Sequence, residues 1–298
     1  MIIFLKFFLI TLLSLPLLAA EMTVEKTTTS KIVLIAEKDS PVLARLLNKL
    51  KTVAPQYSYE ISTQNTPVVI NPSDYAVLVG ANVPAHFDPK THAKTFAIFV
   101  SESQAKRLQV QTSVWVEPPL SRQLTLANLI IPGDKKIGLL VNGEADKNKQ
   151  LANLTNQQTL QLKVVDLADY ENINQALYNV LKDTRLLLGS YNDDIYSAAN
   201  IKNILITSYR QQKVLVGPSR AYLKAGSFAT TFSDLNHIAK RLSDIVEQHA
   251  SNEEWIRPGH NPYYRMMFNQ QVARSLNLRV MSNDQLEKKM LEITMGEQ

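Results

Sequence analysis

From Lys31 onward, short runs of consecutive apolar residues alternate with longer stretches in which apolar residues recur every three or four positions. The short runs predict strands buried on both faces and the longer stretches amphipathic helices, and their regular alternation predicts an α/β protein with mostly parallel sheets. Ile32-Val33-Leu34-Ile35-Ala36 reads as a strand, and Val42, Leu43, Leu46, Leu47, Leu50 and Val53 mark one face of the helix that follows. Asp39 or Ser40 is placed to cap that helix, with Pro41 in its first turn. Further strands are predicted at residues 59–62, 75–79 and 96–100, and an extended piece, Val114-Trp115-Val116, leads to Pro118-Pro119.

The proline pair forbids helix just before a new helical pattern begins near Ser121, and we read it as the first crossing between two lobes. A second series of strands follows at 136–141, 160–165, 185–188 and 214–216. Between them lie helices with apolar faces at Ile173, Ala176, Leu177, Val180 and Leu181, and at Ile201, Ile204, Leu205 and Ser208. Near-continuous apolar strands need helices on both faces, so each series predicts its own doubly wound sheet. The chain then passes through residues 225–232 into a helix with Leu235, Ile238, Ala239, Leu242, Ile245 and Val246 on one face. A polar loop is predicted over 251–262, then a short strand near 264–268 and two terminal helices, the second opened by the capping box Ser282 and Gln285. The order of these pieces predicts lobes joined by more than one strand.

The N-terminus adds a destination. Residues 1–20 hold one cation, Lys6, in an apolar stretch broken by Ser14 and Pro16 and ending in Ala19-Ala20, the pattern of a secretory leader cleaved near Ala20. No cysteine follows it, so a lipid anchor at the cut is excluded and the expected location is the periplasm. The total lack of cysteine also removes disulfides, thiol nucleophiles, zinc thiolates and iron–sulfur clusters. Beyond the leader the chain carries 31 basic and 27 acidic residues, a net of +4 that is too small to imply nucleic acid.

Recognised chemistry is sparse. The nine glycines form neither GxGxxG nor GxxxxGK[ST], and there is no GxSxG or HExxH. No cofactor is implied. His86 and His92 flank Asp88 without a recognised metal spacing, and Asp193-Asp194 reads as the acidic start of a helix. Position says more than motif, because ligands of open parallel sheets sit beyond the carboxyl ends of the strands. In the first lobe those ends are Glu37, Gly80-Ala81-Asn82 and Ser101-Glu102. In the second they are Asn142, Ser190-Tyr191-Asn192-Asp193 and Pro218-Ser219-Arg220, with Arg220 a candidate bidentate clamp for a carboxylate.

From Pro119 to Lys289 the chain resembles the substrate-binding proteins of ABC transporters, in particular the type I group related to aromatic-amino-acid binders. The likeness rests on PLSRQL at 119–124 leading into IPGDKKIGLL at 131–140, on NIL at 203–205, KVLVGPSRAY at 213–222 and KAGSFA at 224–229, and on NQQVARSLNL at 269–278. The resemblance implies a type I periplasmic-binding-protein-like fold of two lobes, 31–118 with about 232–256 and 119–228 with about 262–298, joined by a three-strand hinge. It implies hinge closure on a small polar or amino-acid-like ligand and hand-over to a membrane permease, by a monomer that is not an enzyme. By matching position, Tyr191, Asn192, Ser219 and Arg220 would face the cleft, with Gly226 and Thr231 at the return to the first lobe. The full candidate set is Tyr191, Asn192, Ser219, Arg220, Asn142, Asn82, Ser101 and Thr231; Trp115 reads first as a core residue, with a stacking platform for an aromatic ligand as the alternative. The first lobe departs from the family pattern at Thr112–Glu117, where a glycine- and threonine-rich stretch is usual. The second reading is a sensory binding protein that docks on a membrane receptor, and the third an exported enzyme using a carboxylate such as Asp193.

Overall fold

The computed structural model of the chain describes residues 30–131, 133, 136–152, 154–159, 161–278 and 281–296, so the leader expected at 1–20 lies outside the described residues. The first sheet begins with β1 (Lys31–Ala36), α1 (Pro41–Val53), β2 (Ser58–Thr63), β3 (Tyr75–Val79), β4 (Thr95–Val100), α2 (Glu102–Leu108) and β5 (Thr112–Trp115). The chain then leaves for α3 (Leu120–Ile130), β6 (Ile137–Val141), α4 (Gly143–Leu151), α5 (Asn156–Thr159), β7 (Leu162–Asp166), α6 (Ile173–Lys182), β8 (Leu186–Leu188), α7 (Ile201–Arg210), β9 (Val214–Val216), α8 (Arg220–Ala225) and β10 (Ala229–Phe232). It returns through α9 (Leu235–Asn252) and β11 (Gly259–His260), and ends with β12 (Arg265–Phe268), α10 (Gln270–Ser275) and α11 (Asn283–Gly296).

Two six-stranded sheets result, in the orders β11-β5-β4-β3-β1-β2 and β12-β10-β9-β8-β6-β7. Among the described residues, every pairing between these strands is parallel except β10 with β12. Alternate residues of each strand feed opposite cores, as a pleated strand requires. Ile32 and Leu34 of β1 pack under α1 and α9, while Val33 and Ile35 face the other side beside Ala105 of α2. In the second sheet Leu186 and Leu188 join the core under α3, α10 and α11, and Leu187 joins the one under α6 and α7. The architecture is thus α/β, with two mostly parallel sheets each covered on both faces.

Local chemistry fixes the element ends. Ser40 caps α1 by accepting from the Leu43 N–H, while Asp39 binds the Ser40 N–H instead. Ser282 and Gln285 form the reciprocal box that opens α11, at 3.0 and 3.3 Å. Three expectations are corrected. The loop expected over 251–262 is entered late, because α9 runs to Asn252, and it contains β11, paired in parallel with Val114 and Trp115. Asp193 and Asp194 lie in a turn well before α7, where the Asn192 side chain binds the backbone N–H groups of Asp194 and Ile195. Of the predicted face of α1, Val42 and Val53 are exposed, whereas Leu43, Leu46 and Leu50 are buried and Leu47 packs partly buried against the same core.

Among the described residues the chain passes between the sheets three times, at residues 116–119, 233–234 and 261–264. These crossings are bonded into one unit. His260 Nδ1 donates to the Glu117 carbonyl at 2.7 Å, linking the third to the first, and Ser233 Oγ donates to the Tyr263 carbonyl at 2.7 Å, linking the second to the third. Asn261 holds α9 through the His237 carbonyl, and Arg122 of α3 donates to the Asn261 carbonyl while its guanidinium stacks 3.8 Å from the Tyr264 ring centre. Burial lowers the Arg122 pKa to about 10, which leaves it charged at neutral pH.

Candidate functional site

A hollow of about 460 Å³ lies beside the first crossing and is walled by both sheets. From the first sheet come Glu102 and Ser103 of α2, Trp115 at the end of β5, Glu117, and His260 of β11; from the second come Lys149 and Gln150 of α4 and Tyr191 beyond β8. Two backbone devices set this geometry. At Phe99 the φ angle is +56° and the β4–β5 register slips between Ile98 and Val100, a bulge that turns the chain just before Ser101 and Glu102. After β8, Gly189 lies so close to Pro218 that a Cβ would stand 2.7 Å from Pro218 Cδ, so only glycine lets the loops after β8 and β9 pack side by side.

The charges form a chain across the gap. Both oxygens of Glu117 accept the Glu102 N–H, at 3.0 and 3.1 Å, and Lys149 Nζ reaches over from the second sheet to Glu102 at 3.5 Å and Glu117 at 3.7 Å. Lys106 pairs with Glu102 at 2.8 Å. Burial raises the pKa of Glu117, whereas the bond from Lys106 leads a net lowering at Glu102. Burial lowers the pKa of His260, and because a carbonyl only accepts, its Nδ1 carries the proton it donates to Glu117. Trp115 stands edge-on to His260 with ring centres 5.1 Å apart, its indole N–H bonded to Ser113 Oγ at 2.9 Å. Trp115 therefore sits on the wall of the hollow.

Tyr191 also borders a second hollow of about 230 Å³, lined by Ser190, Asn192, Pro218, Ser219 and Tyr222. Ser190 Oγ and Tyr222 Oη are buried there with no hydrogen-bond partner among the described residues. Burial, then the neighbouring Asp193, raises the pKa of Tyr191. The structure thus brings Tyr191, Asn192 and Ser219 together. Asn142 joins them indirectly, since its amide binds Asp194 at 3.2 Å while Asn192 binds Asp146 at 2.7 Å, and Asp146 also accepts the Asn142 N–H.

The remaining expected residues lie elsewhere. Asn82 donates to Glu37 at 2.7 Å in a separate surface hollow beyond β1 and β3. Ser101 is spent on the capping box of α2 with Gln104. Arg220 lines neither hollow and is exposed, its guanidinium 5.1 Å from the Phe232 ring. Thr231 is fully buried, its N–H and hydroxyl both bonded to Gln123 Oε1 at 3.0 Å. His86 bonds Ser62 and His92 the Asn71 carbonyl. Sequence reasoning missed Glu117, Lys149 and His260. Glu117 carried one signal, a lone charge against the proline pair, whereas Lys149 sits in a helix with no apolar stripe to locate it.

No family model and no curated protein matches the chain. Solved structures do. A substrate binding protein with adhesive properties from Clostridium difficile, in its ligand-free, open form, aligns with TM-score 0.63 at 11% identity over 86% of this chain and 97% of that one. An ABC domain in complex with L-Trp from Streptococcus pneumonia aligns at 0.51 and 13% over 86% and 98%, and a conserved domain protein from Vibrio cholerae at 0.50 and 16% over 87% and 98%. At such identities the likeness speaks for the fold, which is that of type I periplasmic binding proteins.

Proposed function

We propose that this chain is an exported solute-binding protein of the periplasm, which holds a small molecule in the hinge hollow, closes over it, and delivers it to the permease of an ABC-type importer. The observation that carries the reading is the hollow itself, about 460 Å³, walled from both sheets and backed by three linked crossings. That volume suits a small ligand. We take residues 31–118 with about 232–256 as one moving body and 119–228 with about 262–298 as the other. The leader-like residues 1–20 support export.

Binding, not turnover, is the proposed role, because Ser103 and His260 on the walls are engaged within the protein. Ser103 Oγ bonds Ser101 Oγ at 2.9 Å, and the Nδ1 proton of His260 is committed to a carbonyl. Tyr191 is the side chain we assign to ligand contact from the second lobe, with Trp115 opposite it; Asn192 and Ser219 line the adjoining recess. The test is a thermal-shift and calorimetric screen of amino acids, amines, purines, sugars and small carboxylates. A true ligand at a hundredfold excess over Kd stabilises by about 2.7 kcal/mol. Tyr191→Ala should weaken it about tenfold, the scale of one lost aromatic contact. If no solute gives a saturable shift, the reading fails.

A further inference from the structure

The hinge hollow is electrically uneven. The Glu117 side chain, on its wall, is only 6% exposed, whereas those of Lys149 and Lys106 are 43% and 74% exposed. A buried carboxylate needs a partner, while an exposed ammonium is well served by water, so the unmet demand in this hollow is for positive charge. Glu117 is incompletely met. Its two oxygens share the Glu102 backbone N–H, helped only by its own N–H, and Lys149 Nζ stands 3.7 Å away, beyond hydrogen-bond length. Burial correspondingly raises its pKa. The rest of the wall suits a cation too, because Trp115 and Tyr191 offer aromatic surface on either side. An anion would find Arg220 outside the hollow and both lysines already paired with glutamates.

Resting on the binding-protein reading above, we propose that the solute taken by this cleft is a primary amine whose ammonium displaces Lys149 from between Glu102 and Glu117. Lys149 is then a resident competitor. Its long side chain spans the gap at 3.5 and 3.7 Å, and on leaving it regains full hydration on the surface of α4. A free ligand is not tethered to a helix, so its ammonium can settle at charge-assisted hydrogen-bond distance, near ~2.8 Å, from both carboxylates.

The test uses the full chain, as wild type, Lys149→Ala and Glu117→Gln, with matched probes of three charges. Phenethylamine and putrescine are the cations, 2-phenylethanol and 1,4-butanediol the neutral analogues, and 3-phenylpropanoate and succinate the anions. Binding is read by Trp fluorescence and melting shift. Saturable binding is expected from an amine, tightened about fivefold or more by Lys149→Ala and weakened about tenfold or more by Glu117→Gln, with neutral and anionic analogues binding more weakly throughout. Should Glu117→Gln not fold, Glu102→Gln, on the more exposed side of the pair, carries the same arm. Saturable binding confined to neutral or anionic probes, and indifferent to Glu117→Gln, overturns the amine assignment and leaves the binding reading standing. No saturable shift from any probe, in wild type or in Lys149→Ala, overturns both.

Discussion

Glu117 illustrates how a side chain's charge is set by what surrounds it. Burial holds its pKa above the ordinary value of 4.5, despite the N–H of Glu102 and the charge of Lys149. The folded chain therefore keeps this proton more tightly than the unfolded chain does, and the stability so gained is present below the ordinary carboxylate value and lost as pH rises through the raised one. Glu117→Gln does not ionise, so its melting temperature relative to wild type should rise from pH 4 to pH 7; a relative fall would show that the charge is stabilised in the fold. His260 titrates the other way. With its pKa lowered by burial, it supports stability above 6.5 that is lost as pH falls through its folded value, and His260→Gln should flatten the wild-type decline between pH 7 and pH 5 in chemical denaturation. Neither role was legible in the sequence, because burial of an ionisable side chain is decided by which segments meet over it, here α2, α4 and β11.

At the scale of elements, legibility followed hydrophobic content. The strands at 32–36, 75–79, 96–100 and 137–141 announced themselves as apolar runs because helices cover both their faces, and α1, α6, α7 and α9 by their apolar stripes. Helices α2, α4 and α8 did not, since α2 and α8 are short and α4 buries no side chain. The two-residue β11 and the bulge at Phe99 leave no compositional trace, yet both shape the hollow. The positional rule for parallel sheets led to the loops after β8 and β9, whose Tyr191, Asn192 and Ser219 border one hollow while Arg220, expected with them, does not. Gln123 shows the converse. A glutamine on a helix suggests solvent, but Gln123 is buried, donating to the Gly217 carbonyl at 2.7 Å and accepting from Thr231, so that it pins α3 to β10. Gln123→Ala leaves the Thr231 N–H and hydroxyl unpaired in the interior, at about 1–3 kcal/mol each. Urea denaturation should register that loss, and a change under about 0.5 kcal/mol would mean that the site relaxes or admits water.

For the whole molecule, the sheet orders say where the proposed closure would be read. Strands β5 and β11 of one sheet and β10 and β12 of the other stand at the crossings, and β2 and β7 form the far edges. The loops after β1, which lies beside the β2 edge, and after β7 are therefore on the lips of the proposed cleft, far from the crossings. The chain contains no cysteine, so Lys38→Cys and Asp169→Cys, both exposed, place one spin label on each lip. The most direct measurement is the distance between these labels, by pulsed electron spin resonance, before and after adding a solute that shifts the melting temperature. Our account predicts a shorter and narrower distance distribution once the solute saturates. A distribution unchanged at saturation would contradict closure of two bodies over a shared guest.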